Sequence, residues 1–426
     1  MVIELPSNVR KIIGQIEEKG FEAYAVGGCV RDSILGRKPM DWDITTNAKP
    51  EDIKKIFGHT IDTGIQHGTV TVMLGRTGYE VTTYRTEGTY LDHRHPSDVE
   101  FVSELSEDLR RRDFTINAMA YNDTRGLVDL FGGIEDLSNK IIRCVGKATD
   151  RFSEDALRMM RAVRFSAQLG FEIDKDTENA ISELCPQIDA VSRERVQTEL
   201  LRLISSENPS FWAAASRTGL GRQILPEFED TYDPGDPKSK GALSLRALKL
   251  VPDTKGFKTA VFLSGIRPFE GKSREQSVKS ILRRLKFDND TIKRASTLVG
   301  MLDENIPADS YEIRLAMSRR GKVFFPDYLK VREALNKAGL FGEDPEEKKR
   351  LREMKRIYEL SEKEHWCTCI GELKIGGGEL KALGFSQGKA MGDALKILLS
   401  EVLKNPSLND ETILQRRAKE IRNELS

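Results

Sequence analysis

Histidine is scarce in this chain of 426 residues, and its five copies fall at positions 59, 67, 93, 95 and 365. Residues 96–364 hold none, which excludes a histidine-based metal hydrolase site from that stretch. Cysteine is equally sparse. Cys29, Cys144, Cys185, Cys367 and Cys369 are too few and too irregularly spaced for a disulfide scaffold, and they point to a reducing compartment. No apolar run nears the roughly 20 residues needed to cross a bilayer, so no membrane partner is expected. The opening MVIELPSNVRKIIGQIEEKG lacks a basic region followed by an apolar stretch, and no signal peptide is expected. Net charge is missing too: 67 Lys and Arg balance 67 Asp and Glu. That excludes a wholesale polycation, so nucleic acid can be met only by local clusters of arginine. A cytoplasmic chain of two to four domains is the expectation, at roughly 100–200 residues per domain.

What is present divides unevenly. Between 21 and 132, FEAYAV, WDITT, TVTVML and YEVTTYR read as strands, and MAYND with GLVDLF as a late hairpin. From about 150 onward the strand signals stop. EDALRMMRAVRFSAQLG, RERVQTELLRLISS, SVKSILRRLKF and MGDALKILLSEVLK all carry helical spacing of apolar residues. Pro, Gly and charge cluster at 230–241 and 341–350, where breaks are expected. There is neither an internal repeat nor a low-complexity tract.

Gly27-Gly28 stands between a strand and a helix start, with Arg31 one turn into that helix. Such a turn lets backbone approach a phosphate, though a plain tight turn has the same sequence. Asp41-Trp42-Asp43 follows. In a strand, residues i and i+2 share a face, so both carboxylates project together. A solvated acidic loop is one account of that pair; a metal site is the other. Glu80, in the alternating strand YEVTTYR, adds a third carboxylate.

VGGCVRD followed by DWDIT resembles the signature of nucleotidyltransferases of the DNA polymerase beta superfamily. More narrowly it is similar to the class II tRNA nucleotidyltransferase and poly(A) polymerase family. RRDFTINAMAY at 111–121 and EDALRMMRAVRF at 154–165 match the family's next two blocks in order and spacing. The resemblance implies an α+β chain: an α/β head with a small mixed sheet over 1–137, then an elongated all-helical neck over 138–206, body over 207–330 and tail over 331–426. It implies magnesium-dependent transfer from CTP, then ATP, to the tRNA 3′ end. Asp41 and Asp43 would hold two magnesium ions, and Glu80 would orient or deprotonate the hydroxyl. Gly28 and Arg31 would serve the nucleotide. No protein partner is evident.

EDALRMMRAVRFSAQLG carries the base-reading part. As one helix with Ser153 as its N-cap, it places Met160, Val163 and Ala167 within about 40° of Ala156 as the core face. Asp155, Arg158, Arg161 and Arg164 then cover the opposite side, with Asp155 spaced to pair with Arg158. A solvated charged face is the plain account. Arginine's planar fork, which can bond a base edge, is the other. The resemblance implies that Asp155 and Arg158 bond the Watson–Crick edge of the incoming base, that Arg161, Arg164 and Arg112 bind nucleotide, and that Asp113 stands beside Arg112. On an ideal helix Arg164 lies opposite Asp155, so it is expected to reach phosphate or order the head–helix junction.

Three variants share these blocks: enzymes adding CCA, partners adding only CC or only A, and poly(A) polymerases. The polar segment YRTEGTYLDHRHPSDVEF at 84–101 resembles the loop that switches the site from C to A, which favours CCA addition. An A-adding partner enzyme stays open. His365, Cys367 and Cys369 form one short cluster with no second cysteine pair, a weak metal motif, and Cys29 reads as a packing residue.

Overall fold

The computed structural model describes residues 2–87, 99–342 and 345–425, and the chain divides into two compact units, 1–229 and 230–426. The first unit is built on a sheet of β1 (Ala23–Val26), β2 (Ile44–Thr46), β3 (Thr60–Gly64), β4 (Thr69–Leu74) and β5 (Thr77–Thr83). A separate ribbon pairs β6 (Arg85–Glu87) with β7 (Val99–Phe101), and β8 (Met119–Asn122) and β9 (Gly126–Asp129) complete the sheet. Its order is β3-β4-β5-β2-β1-β8-β9. Only β2 and β5 run parallel, Ile44 facing Val81; every other neighbouring pair is antiparallel. Alternation makes this sheet one-sided: Val70 and Val72 of β4 and Val81 of β5 are buried, while Glu80 stays exposed.

Helices cover the sheet and continue the unit. They are α1 (Ser7–Glu17), α2 (Gly28–Ile34), α3 (Pro50–Ile56), α4 (Leu105–Arg110), α5 (Gly133–Asn139), α6 (Ala148–Glu154), α7 (Leu157–Leu169), α8 (Lys175–Leu184) and α9 (Arg193–Ile204), followed by the short helices Trp212–Arg217, Leu220–Ile224 and Pro226–Glu229. Helix α1 shows the rule by which they form: Val9, Ile12, Ile13 and Ile16 recur at helical spacing and are all buried. In the second unit the described elements are all helical. Asp288, Asp309 and a Ser273–Gln276 capping box start three of its helices, satisfying backbone N–H groups that would otherwise lack partners. A mixed-sheet head followed by helices is thus the architecture, as expected. Among the described residues, no helix is long and apolar enough to cross a membrane.

Four local expectations are corrected. The strand read in WDITT begins at Ile44, so Asp41 and Asp43 precede it. Strand structure does not end near 150: β10 (Ile141–Ile142) pairs in parallel with β11 (Glu172–Ile173). The arginine segment is two helices, not one, because the chain turns extended at Asp155 (φ −143°, ψ 102°). Ser153 accordingly lies inside α6, and the N-cap position of α7 is Ala156. The late hairpin did form, Met119 facing Asp129. Of the segment read as a switching loop, residues 88–98 lie outside the described residues.

Candidate active site

The glycine turn joins β1 to α2 and carries a positive φ of 81° at Gly27, a conformation that only glycine adopts without strain. A Cβ on Gly27 would stand 2.9 Å from Nη1 of Arg112, so the missing side chain is what lets this guanidinium lie against the backbone. Gly28 is less constrained, since a Cβ there would make an ordinary 3.7 Å contact with Arg31. Arg112 is held by Asp108 of α4, 3.3 Å from its Nη2, while its Nε is buried with no hydrogen-bond partner. Asp108 is fully buried and also binds Arg111 at 2.7 Å and Thr45 Oγ1 at 3.1 Å. Burial works against its charge, but Arg112, Arg111 and Thr45 together hold its carboxyl below the ordinary range.

Asp43 immediately precedes β2. Asp43 accepts the Val26 N–H at 3.0 Å, extending the ladder one residue ahead of the strand. Ile44 faces Val81 across the parallel pair, which sets Asp43 alongside Glu80. The Asp43 carboxyl is pushed up to about 6, first by desolvation, then by the charge of Asp41; Arg112 opposes the shift and Glu80 adds to it. Asp43 thus feels two like charges with a single cation answering them. Such a set of hard oxygen donors fits a divalent cation of the magnesium type. Among the described residues no group of three or more His, Cys, Asp or Glu is gathered closely enough to enclose an ion. The arrangement suits a cation that takes its other ligands from water and substrate phosphate. Cys29, beneath the turn, is buried and its thiol is pushed up to about 12 by desolvation and then by Asp43. It packs, and is no nucleophile.

Helix α7 carries the arginines differently from the expected exposed face. Ala156, Met160, Val163 and Ala167 are fully buried, as the period requires, but Arg158 and Arg164 are buried as well. Asp155 does not pair with Arg158. Its Oδ1 accepts the Leu157 N–H at 3.1 Å, which is the local competition that breaks the helix, and its Oδ2 accepts Arg195 of α9 at 2.7 Å. Arg158 is bound by Glu154 and donates to the carbonyls of Arg151 and Arg111, both at 3.2 Å. Arg161 grips Asp113 at 2.5 Å, and Arg164 grips Glu199 of α9 at 2.5 Å, the latter pair almost wholly buried. Asp113, expected beside Arg112, thus neutralises Arg161. Burial would raise its carboxyl, but Arg161 and Asn117 hold it down at about 2.

A shared scaffold links this helix to the glycine turn. The guanidiniums of Arg31, Arg161 and Arg164 lie 5.1, 5.3 and 3.7 Å from the centre of the Phe165 ring. Arg31 also donates to Asn117 at 2.6 Å, and Asn117 to Asp113 at 3.1 Å. Sequence reading missed Asp108, Asn117, Glu154, Phe165, Arg195 and Glu199. Asp108, Glu154 and Glu199 carried a local signal, each spaced three and four residues from arginines.

Comparison with known proteins places the chain in a family. Residues 23–143 match the family described as "Poly A polymerase head domain", 170–231 the "Probable RNA and SrmB- binding site of polymerase A", and 270–418 domain 2 of tRNA nucleotidyltransferases. The chain is 38% identical to the CCA-adding enzyme of Ligilactobacillus salivarius and 35% identical to that of Leuconostoc mesenteroides, covering 99% of each chain in both cases. Among solved structures, the Bacillus stearothermophilus CCA-adding enzyme in complex with CTP superposes with a TM-score of 0.77 at 30% identity, covering 98% of this chain and 97% of that one.

Proposed function

The chain belongs to the family of CCA-adding tRNA nucleotidyltransferases, and on that premise we propose which of its residues perform the transfer and which choose the base. The reaction adds C, C and A to the tRNA 3′ end from CTP and ATP without a nucleic-acid template, each step releasing pyrophosphate. Asp41 and Asp43 hold the divalent ions. Magnesium bound there supplies charge stabilisation to the attacking and leaving oxygens. Glu80, level with Asp43, orients or deprotonates the tRNA 3′-hydroxyl. The observation that carries the assignment is Arg112 lying against Gly27, its Nε unpartnered, and acting on Asp43 across the same turn. That is one cation placed to receive the triphosphate beside the carboxylates. Gly28 and Arg31 complete the turn, and Arg161 and Arg164 hold the base-reading helix to it through Phe165 and Asn117.

Asp155 and Arg158 read the base. Each Asp155 oxygen accepts one hydrogen bond and keeps a second lone pair, so the carboxylate retains capacity for the exocyclic amine that C and A share. The neck at 138–206 presents these groups, and the helices of the body, 207–330, and tail, 331–426, hold the tRNA. All five cysteines are free, which supports a cytoplasmic setting.

The test is incubation with tRNA lacking its CCA end and labelled CTP or ATP, given singly and together. CTP alone is expected to add two residues, and ATP a single A only once they are in place. A chain that adds only A to ends already carrying CC is a partner enzyme, and one that adds runs of A is a poly(A) polymerase. In the same assay Arg158→Ala should weaken CTP and ATP use by about 1–3 kcal/mol and narrow the gap to UTP and GTP. Arg112→Ala should weaken all four alike. Full retention of preference for C and A in Arg158→Ala would remove it from base reading.

A further inference from the structure

The helices Phe325–Ala338 and Pro345–Lys363 of the second unit pack together and leave a cavity of about 260 Å³ between them. Each helix turns one face to it. Leu329, Glu333 and Asn336 follow one another at steps of four and three, and so do Lys348, Arg352 and Lys355. Leu329 and Leu351, both nearly buried, give it apolar walls.

Asn336 decides what the cavity takes. The residue is 6% exposed, and its Oδ1 has no hydrogen-bond partner. A buried acceptor left unsatisfied is unfavourable, and a donor entering the cavity relieves it. Four cations line the same space, Lys337, Lys348, Arg352 and Lys355, against the single acid Glu333, which pairs with Lys337 at 2.8 Å. Lys348 and Arg352 have no carboxylate partner among the described residues, and Lys355 has only a 3.9 Å contact to Glu359 in solvent. The cavity therefore asks for a flat, partly apolar body with an N–H edge and an anionic group attached.

We propose that this cavity binds one nucleoside monophosphate unit. The base enters between Leu329 and Leu351 and donates to Asn336 Oδ1, while the phosphate meets Lys348, Arg352 and Lys355. A volume near the small end of ligand pockets suits a single nucleotide rather than a larger cofactor. Every base carries an N–H or NH₂ on its edge, so the site sets no strict base choice. The unit can belong to an RNA strand or to a free nucleotide; the RNA source rests on the function proposed above, the free source does not.

The full chain is irradiated with 8-azidoadenosine 5′-monophosphate under saturating CTP, which covers the catalytic nucleotide site, and the labelled peptides are mapped. Label is expected within 325–338 or 345–363, and it should fall about tenfold or more in a K348E/R352E double variant. Both side chains are exposed, so the variant should keep its melting temperature. Label confined to other peptides, or undiminished in the folded double variant, overturns the site. Unlabelled tRNA lacking CCA should displace the label; displacement by adenosine monophosphate alone assigns the site to free nucleotide. Because labelling is read apart from tailing, loss of CCA addition with label intact would refute the proposed function and leave this site standing.

Discussion

Replacing either Asp41 or Asp43 by Ala should abolish addition of C and of A together, by at least about a thousandfold, or ~4 kcal/mol of transition-state stabilisation. Both steps run through one set of carboxylates, so no variant at these positions should separate them. The fold should not suffer. Asp43 sits among like charges, its carboxyl raised by desolvation and then by Asp41, and the backbone carbonyl that continues the ladder to Val26 survives the substitution. Removing one charge relieves repulsion, so the melting temperature should hold or rise. The check is single-nucleotide incorporation on tRNA lacking CCA, with thermal unfolding alongside. Incorporation within tenfold of the native chain in either variant would sink the carboxylate assignment.

The carboxylates and the glycine turn were legible because their chemistry is local. Asp41, Asp43 and Glu80 declare themselves through residue type, and only Glu80 through strand alternation, since Asp41 and Asp43 precede β2; two adjacent glycines announce a backbone that a side chain would block. The sheet was legible for the same reason, since Val70, Val72 and Val81 alternate with polar neighbours. What stayed hidden depends on partners far along the chain. Arg195 reaches Asp155 across 40 residues, and Glu199 reaches Arg164 across 35. Helical periodicity places each of these polar groups facing water, because it assigns faces from one helix alone. It cannot know that α9 brings a carboxylate to meet a guanidinium, which makes burial of both tolerable. The break at Asp155 was missed for another reason. An aspartate that accepts the N–H two residues on competes with the helix, and that competition shows only when the side chain is seen making it.

The buried pair Arg164–Glu199 yields the second large effect, on stability rather than chemistry. Both side chains are 5% exposed and lie 2.5 Å apart, joining α7 to α9. Burial already brings Arg164 down to about 10 even with Glu199 opposing it. Glu199→Ala leaves that guanidinium with Gln168 at 2.6 Å and the Phe165 ring, and no carboxylate as close. Breaking a buried pair from one side costs about 3–5 kcal/mol, because an uncompensated charge remains. Arg202, the other cation near Glu199, sits 3.8 Å away and is half exposed, so its loss of contact adds little. Denaturant unfolding of Glu199→Ala should therefore show a drop of that size. A double variant, Arg164→Met with Glu199→Leu, should recover most of it, since apolar residues of similar volume need no charge partner. The two variants also divide Arg164's roles. If it acts only by seating the helix that carries Arg158, the double variant should regain base choice along with stability. If it touches phosphate, stability should return while the KM for both CTP and ATP stays raised. A Glu199→Ala loss below about 1 kcal/mol would mean that water reaches the pair and that the helix is seated by its apolar face alone.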